Sequence, residues 1–348
     1  MREISSQRLN ETGPISFASQ NGELYLYDGL STPFSNDVIV LSEEHKQQIE
    51  DFASGAAENY TTEDTQAYNM FGIPTLVARV DCTIGKNGVM LPYEMEDSPS
   101  GQGITDIIHK SIGRAGIKDV ILGHYEELLN SPPTVIISNE RGHGTDDGLI
   151  VGDSKYINIG NVPEDLRING PVIVKAIPGS KTSRDPYLQF QQQAVAPLVT
   201  EGDKTYAEKV GILTAVKSED DLLVDLNGDL SSQVVKSRLG SMAMGISIYL
   251  SRSDRERYGK ARTVTASRLK RDLSKYCEQN KGALVQEFLP PFQIVNSEDR
   301  TNAILRVFTL LSSESGVVSA EAVGGCYVAR NEVLLHGASN AVSGAVLV

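Results

Sequence analysis

Cysteine is scarce. Only Cys82, Cys277 and Cys326 occur in 348 residues, and an odd number so widely spaced supports neither a disulfide framework nor a zinc site. No apolar run approaches the roughly 20 residues that cross a bilayer. The opening MREISSQRLNETGP is polar and lacks the apolar centre of a signal peptide. Positive charge is in deficit: 32 Lys and Arg against 45 Asp and Glu leave −13 at pH 7. That balance argues against broad binding to nucleic acid or anionic membranes, while allowing one basic pocket for phosphates. Internal repeats and low-complexity linkers are absent, as is the Walker A pattern. His109, His124, His143 and His336 show no metal-ligand spacing. The expectation is a soluble cytoplasmic protein with no nucleic-acid or membrane partner, its oligomeric state left open.

With 40% hydrophobic and 22% charged residues, the chain has the composition of a globular protein with two or three packed units. Strands are expected at 22–27 and 37–41. A helix at 43–58 is opened by Ser42, with Glu43 and Glu44 in its first turn. A helix at 104–116 closed by glycine, a strand at 118–122, a helix at 123–130 and a strand at 134–140 suggest an open α/β region. Further on, strands are expected at 171–177, within 231–251, from 283 up to the stop at Pro290-Pro291, and at 303–311 and 316–323. Helices are expected at 190–199, 206–216 and 263–279.

The stretch ARVDCTIGKNGVMLPYEMED (78–97) reads as a hairpin about Asn87-Gly88. A two-residue turn pairs Lys86 with Val89, which sets Asp81 opposite Glu94 and Arg79 opposite Glu96. Strand side chains alternate, so Glu96 shares the face of Glu94. Directly opposed carboxylates roughly 5 Å apart repel. A divalent cation such as Mg²⁺ would remove that repulsion; an ordinary Arg79–Glu96 ion pair on a solvated face is the alternative.

Other segments suit phosphate. VVKSRLGSMAMG (234–245) places Lys236 on a strand before a loop with Gly240, Ser241 and Gly245, whose small residues let backbone N–H groups approach oxygens. VIVKAIPGSKT offers Lys175 at a strand end, either towards phosphate or snorkelling to water. ALVQEFLPP ends at Pro290-Pro291, which cannot donate to a ladder. Its tip, Gln286, Glu287, Phe288 and Leu289, can present backbone groups to an adenine edge, with Glu287 a candidate for ribose hydroxyls. ILRVFTLL buries Arg306, which must find an internal carboxylate or a bound phosphate. LLHGASNA adds donors at Gly337, Ser339 and Asn340.

The order of lysine strand, lysine–glycine loop, Gln-Glu-Phe-Leu tip and arginine strand resembles the ATP-grasp superfamily. The thirteen-then-two spacing of Asp81, Glu94 and Glu96 is similar to that family's metal strands. Those strands come first here, so the resemblance is to circularly permuted members such as eukaryotic glutathione synthetase and glutathionylspermidine synthase-like ligases. Two departures stand out: Glu96 occupies a place where the family often has Asn, and Ala303 and Ile304 leave Arg306 without the frequent Asp-x-Arg partner.

The resemblance implies an α/β protein with α+β lobes. Residues 1–100 would carry the metal-binding hairpin, 101–170 an α/β substrate or scaffold region, and 171–348 the nucleotide lobes. It implies an ATP-dependent carboxylate–amine ligase acting on a small-molecule or peptide carboxylate and an amine through an acyl phosphate. Mg²⁺, with Mn²⁺ as substitute, would sit on Asp81, Glu94 and Glu96. Lys236 and Arg306 would be catalytic, and ATP would meet Lys175, Lys236, Gly240, Ser241, Gly245, Gln286, Glu287, Phe288, Leu289 and Asn340. The rival readings are an ATP-binding regulatory or scaffold subunit without ligase activity, and a binding protein for some other ligand whose hairpin holds Ca²⁺ or nothing.

Overall fold

The structure is a computed structural model that describes residues 2–10, 15–16, 22–27, 30–60, 72–85, 87–96, 99, 101–130, 134–137, 156–158, 172–175, 205–238, 245–260, 263–279, 282–296, 299–330 and 341–348. From the N-terminus come β1 (Arg2–Ser5), a 3₁₀ turn (Ser6–Asn10), β2 (Ile15–Ser16), β3 (Gly22–Tyr27), β4 (Leu30–Phe34), β5 (Asp37–Val40), α1 (Glu43–Glu58), β6 (Val77–Ile84) and β7 (Met90–Glu96). The middle holds α2 (Gln102–Ser111), α3 (Lys118–Leu129), β8 (Thr134–Ile137), β9 (Tyr156–Asn158), β10 (Val172–Lys175), α4 (Thr205–Lys209) and β11 (Thr214–Val216). Then follow β12 (Gln233–Ser237), β13 (Ile246–Tyr249), α5 (Arg252–Tyr258), α6 (Ala266–Gln279), β14 (Ala283–Glu287), β15 (Phe292–Asn296), β16 (Asp299–Glu314), β17 (Val317–Arg330) and β18 (Val342–Leu347).

Strands from both ends of the chain share one mixed sheet of eleven strands, with the path β1-β5-β18-β17-β16-β15-β2. The long β16 holds β17 along one side. Its other side takes β15 first and then β6, with β7 beyond β6. The early hairpin therefore completes a sheet built by the last strands. Residues 134–137, 156–158 and 172–175 form a separate three-stranded parallel sheet, β10-β8-β9. A four-stranded antiparallel sheet runs β11-β14-β12-β13. Among the described residues the protein is thus mixed α/β, with few helices and one dominant sheet.

Helices cover both faces of the large sheet near β6. Ile49, Ala53, Ala56 and Ala57 of α1 join Val80, Leu305 and Val307 in one core. Ile104 and Ile108 of α2 pack with Ile304, Cys326, Val328 and Ala345 in another. Every residue of β6 is consequently buried, as expected for a strand covered on two sides rather than one. On the small sheet, Leu269, Leu273 and Tyr276 of α6 close over Val235 and Val285.

Helix α1 begins where its cap predicts: the Ser42 hydroxyl accepts the His45 N–H. The buried His45 ring then ties Ser6 Oγ (2.8 Å) to the Gly88 carbonyl (2.7 Å), and Gln48 accepts the Met90 N–H at 2.7 Å. Helix α2 starts at Gln102 and ends earlier than the expected 116. Arg114 N–H reaches the His109 carbonyl and Gly113 N–H that of Lys110, a Schellman closure.

Two expectations are corrected. Residues 118–122 are the first turns of α3, not a strand. Asp106 Oδ1 accepts the Lys118 N–H, and Ile121 and Tyr125 bury one helical face, so a Val-Ile-Leu run that suits either structure follows its caps. The expected helix 206–216 stops at Lys209, and Thr214–Val216 pairs with β14 instead; Ile212 N–H turns back to the Ala207 carbonyl around Gly211. The expected helix at 190–199 lies outside the described residues. Among those described, no helix is long and apolar enough to cross a membrane.

Strand β17 approaches β16 too closely for a side chain at Gly325, where an added Cβ would lie 1.9 Å from the Arg306 carbonyl oxygen. Gly325→Ala is expected to cost about 1–3 kcal/mol by overpacking. An unchanged urea midpoint would show that the two strands can part without penalty.

Candidate functional site

The hairpin reaches its expected register by an unexpected route. Gly85 N–H bonds to the Val89 carbonyl and Gly88 N–H to that of Gly85, so the loop is three residues, 86–88, one longer than a type I′ turn. Gly88 takes the left-handed position (φ 83°), the geometry of a three-residue hairpin with a glycine bulge. The extra residue is recovered at a second bulge. Cys82 faces Pro92 while Asp81 faces Glu94, which leaves Tyr93 unopposed. Proline cannot donate to a ladder and is at home beside a bulge. Beyond it, Asp81 lies opposite Glu94 and Arg79 opposite Glu96, as the alternation predicts.

On the other side of β6, Arg306 is the register partner of Asp81, and Cys326 is the next residue in the row. Arg79 donates from Nε to Asp81 Oδ1 at 2.8 Å and from Nη2 to Oδ2 at 3.3 Å; the same Nη2 lies 2.6 Å from Glu96 Oε1. Arg306 Nε is 3.6 Å from Asp81 Oδ2. Arg79 and Asp81 are 3% and 4% exposed, so neither is solvated in place of its partner. The Glu96 side chain keeps 38% of its surface exposed, so it is the outermost of these three groups.

The electrostatics follow from this packing. Burial works against the Arg79 charge, but Asp81 and then Glu96 outweigh it and hold the guanidinium ionised. Burial pushes the Glu96 carboxyl up; Arg79 draws it back, and Asp81 and Glu94 add to the rise. The Tyr93 phenol is pushed up by burial and then by Asp81, against Arg306, so it remains a proton donor. Cys82 and Cys326 are both raised by burial and are inert thiols rather than nucleophiles.

Lys236 enters from the small sheet. It is 4% exposed and its Nζ lies 5.7 Å from the centre of the Tyr93 ring, within cation–π range. The bulge that frees Tyr93 therefore brings the lysine strand against the acidic hairpin. A short crossing joins the two sheets: β14 pairs Gln286 with Val234 and Glu287 with Gln233, then residues 288–291 lead to β15. Gln286 is buried and Glu287 exposed, Leu289 is half-buried, and the Phe288 ring meets Tyr258 edge-on at 5.7 Å. Phe288 N–H is taken by the Ser232 carbonyl, and Thr83 Oγ1 donates to the Pro290 carbonyl at 3.0 Å. The crossing is thus fixed to the hairpin.

Asp81, Glu94, Glu96, Arg306 and, through Tyr93, Lys236 come together. Gly245 lies at the start of β13, its carbonyl accepting the Ser237 N–H. Lys175 ends β10 in the separate parallel sheet. Gly240, Ser241 and Asn340, with His143 and His336, lie outside the described residues. Tyr93 is a site residue that pattern reading passes over; Pro92 within a strand was the signal for its bulge.

The acids as they stand do not suit a bound divalent ion. Both oxygens of Asp81 accept from Arg79, which also holds Glu96. Among the described residues no group of three or more His, Cys, Asp or Glu is disposed to hold a metal. Of the readings open for the hairpin, the Arg79–Glu96 ion pair is the one present. Comparison with known proteins adds nothing to the geometry: no protein-family model matches the chain, and no curated protein matches it.

Removing one partner of such a buried pair costs more than the pair contributes, because the remaining charge is stranded. Asp81→Asn is expected to lose on the order of 3 kcal/mol, and adding Arg79→Met should restore part of it. Strictly additive losses in the double-mutant cycle, followed by urea unfolding, would mean the two side chains are energetically independent.

Proposed function

We propose that the chain is an ATP-dependent carboxylate–amine ligase of ATP-grasp type whose nucleotide lies between the four-stranded sheet and the β6–β7 edge of the large one. One observation carries this reading. Lys236, far along the chain, meets the hairpin whose Asp81 is in register with Arg306, so cationic groups from both sheets converge where polyphosphate would lie. The crossing at 288–291, beside Gln286 and Glu287, supplies an adenine edge with a short segment between the sheets.

In this reading the substrate carboxylate attacks the γ-phosphorus, and ADP leaves with the electrons of the broken P–O bond. The amine then attacks the acyl carbon of the mixed anhydride, loses a proton and expels phosphate. Lys236 offsets charge on the transferring phosphoryl group as a compact ammonium, and Arg306 offers a planar fork to the acyl phosphate. Tyr93 supports Lys236 from the large sheet. Catalysis of this kind rests on positioning and fixed charge. Mg²⁺ would accompany the nucleotide and screen its phosphates; no step assigned to these residues depends on the protein holding it.

A second reading has its own support. Arg79 occupies the carboxylates that a catalytic metal would need, which favours an ATP-binding subunit without turnover. One experiment separates the two. A non-hydrolysable ATP analogue at 100-fold excess over Kd should stabilise the protein by about 2.7 kcal/mol, and Lys236→Met should remove most of the thermal shift. ADP release with mixed carboxylates and amines then identifies the ligase; binding without release identifies the subunit. No shift with any adenine nucleotide would refute both readings.

A further inference from the structure

We propose that the outer edge of β17 docks a second copy of this chain, the two β17 strands pairing antiparallel about Ser319. The β16–β17 hairpin turns at Ser315-Gly316, whose φ angles of 53° and 82° are both positive, as a type I′ turn requires. That turn fixes which way each backbone group points. Its flanking residues, Glu314 and Val317, form a hydrogen-bonded pair, so by alternation Val318, Ala320 and Ala322 turn their N–H and C=O groups away from β16. Two contacts agree with this parity. Leu311, opposite Ala320, gives its N–H to the Leu76 carbonyl across the other edge, and Ala322 N–H goes outward to Glu50 Oε1 of α1 at 2.9 Å. Strand β18 pairs with β17 from Gly325 to Ala329. Among the described residues no strand pairs with Val318 or Ala320 on that side.

An edge left open in this way is a template for another strand, and its pattern suits a copy of itself. Glu50 closes Ala322, which leaves a short open stretch centred on Ser319. With the two strands set antiparallel about that residue, Val318 of one chain lies opposite Ala320 of the second copy, and such a pair exchanges two hydrogen bonds. Symmetry repeats the pair, so both chains use their open groups and Glu50 stays in place. Exposed Val317 lies opposite exposed Glu321 of the second copy, and Ser319 opposite its own counterpart, so no like charges meet. Val318 and Ala320 pack against the main core, so the edge is already ordered before a partner arrives. The contact is short, and a chain carrying −13 repels its copy; the dimer is accordingly weak, and salt strengthens it. A cationic peptide on the same edge would respond to salt in the opposite sense. None of this rests on the ligase reading.

The test is sedimentation velocity of the full chain over a range of concentrations. Wild type is expected to pass from monomer to dimer as its concentration rises towards about 1 mM, the range of weak, short contacts, and to do so earlier at higher salt. Ala320→Pro removes an outward N–H but no bond to β16, and should abolish the dimer. Ser319→Glu and Ser319→Lys should each be monomeric alone, because like charges then meet across the axis, while an equimolar mixture of the two should dimerise. Ser319 lies on the exposed face of the hairpin, so these two variants decide the matter if the proline variant does not fold. Wild type that stays monomeric at about 1 mM would overturn the proposal and leave the edge to a strand of some other protein. A dimer that survives Ser319→Glu, or a mixture of the charged variants that stays monomeric, would overturn it as well.

Discussion

The ion pair between Arg79 and Asp81 is the constraint on which the rest of the candidate site depends. A strand buried on both faces cannot carry an unpaired carboxylate. Asp81 is tolerated in β6 because Arg79 grips it from the same strand and Arg306 stands beside it on β16. Once that row is fixed, the hairpin can lie only in the register that opposes Asp81 to Glu94. Tyr93 then becomes the residue left over. The polar line Glu94–Asp81–Arg306–Cys326 crosses four strands, and at its Cys326 end it meets the apolar residues of α2.

The hairpin is held from outside as well. His45 and Gln48 of α1 bind its tip and its first β7 residue, and the Tyr206 hydroxyl occupies Met95 N–H at 2.9 Å. These contacts cover an edge strand that would otherwise present open hydrogen-bonding groups. They also give the N-terminal segment a role that its own sequence does not announce: it seats the hairpin against strands from the end of the chain. The short crossing at 288–291, fastened by Thr83, then sets the small sheet and its Lys236 against Tyr93. Sheet pairing, one bulge and one short connection thus set Arg79, Asp81, Glu96, Arg306 and Lys236 about the hairpin.

Local features were the legible ones. Ser42 with its acidic first turn defines α1 to the residue, and alternation about Asn87-Gly88 pairs Arg79 with Glu96 and Asp81 with Glu94. Even so, the pairing was right through two compensating departures, a longer turn and a bulge at Tyr93. Periodicity alone cannot see either one; Pro92 could have signalled the second. The Val-Ile-Leu run of α3 misled because both helix and strand bury such residues, and Asp106, twelve residues earlier, supplies the deciding N-terminal contact. The meaning of the acids was hardest to read. Carboxylates suggest a metal until the guanidinium two residues away is seen to turn back on Asp81, a matter of rotamer rather than of spacing. The joining of early and late strands in one sheet has no local signature, because register partners such as Asp81 and Arg306 lie far apart in the chain.

The central claim is that cationic groups from two sheets form one anion site whose acids are already neutralised from within. Calorimetry with inorganic tripolyphosphate in the presence of EDTA tests it most directly. The account predicts one-to-one binding to wild type, at least tenfold weaker in Lys236→Met. Binding that appears only when a divalent ion is supplied, or that is indifferent to Lys236, would contradict it.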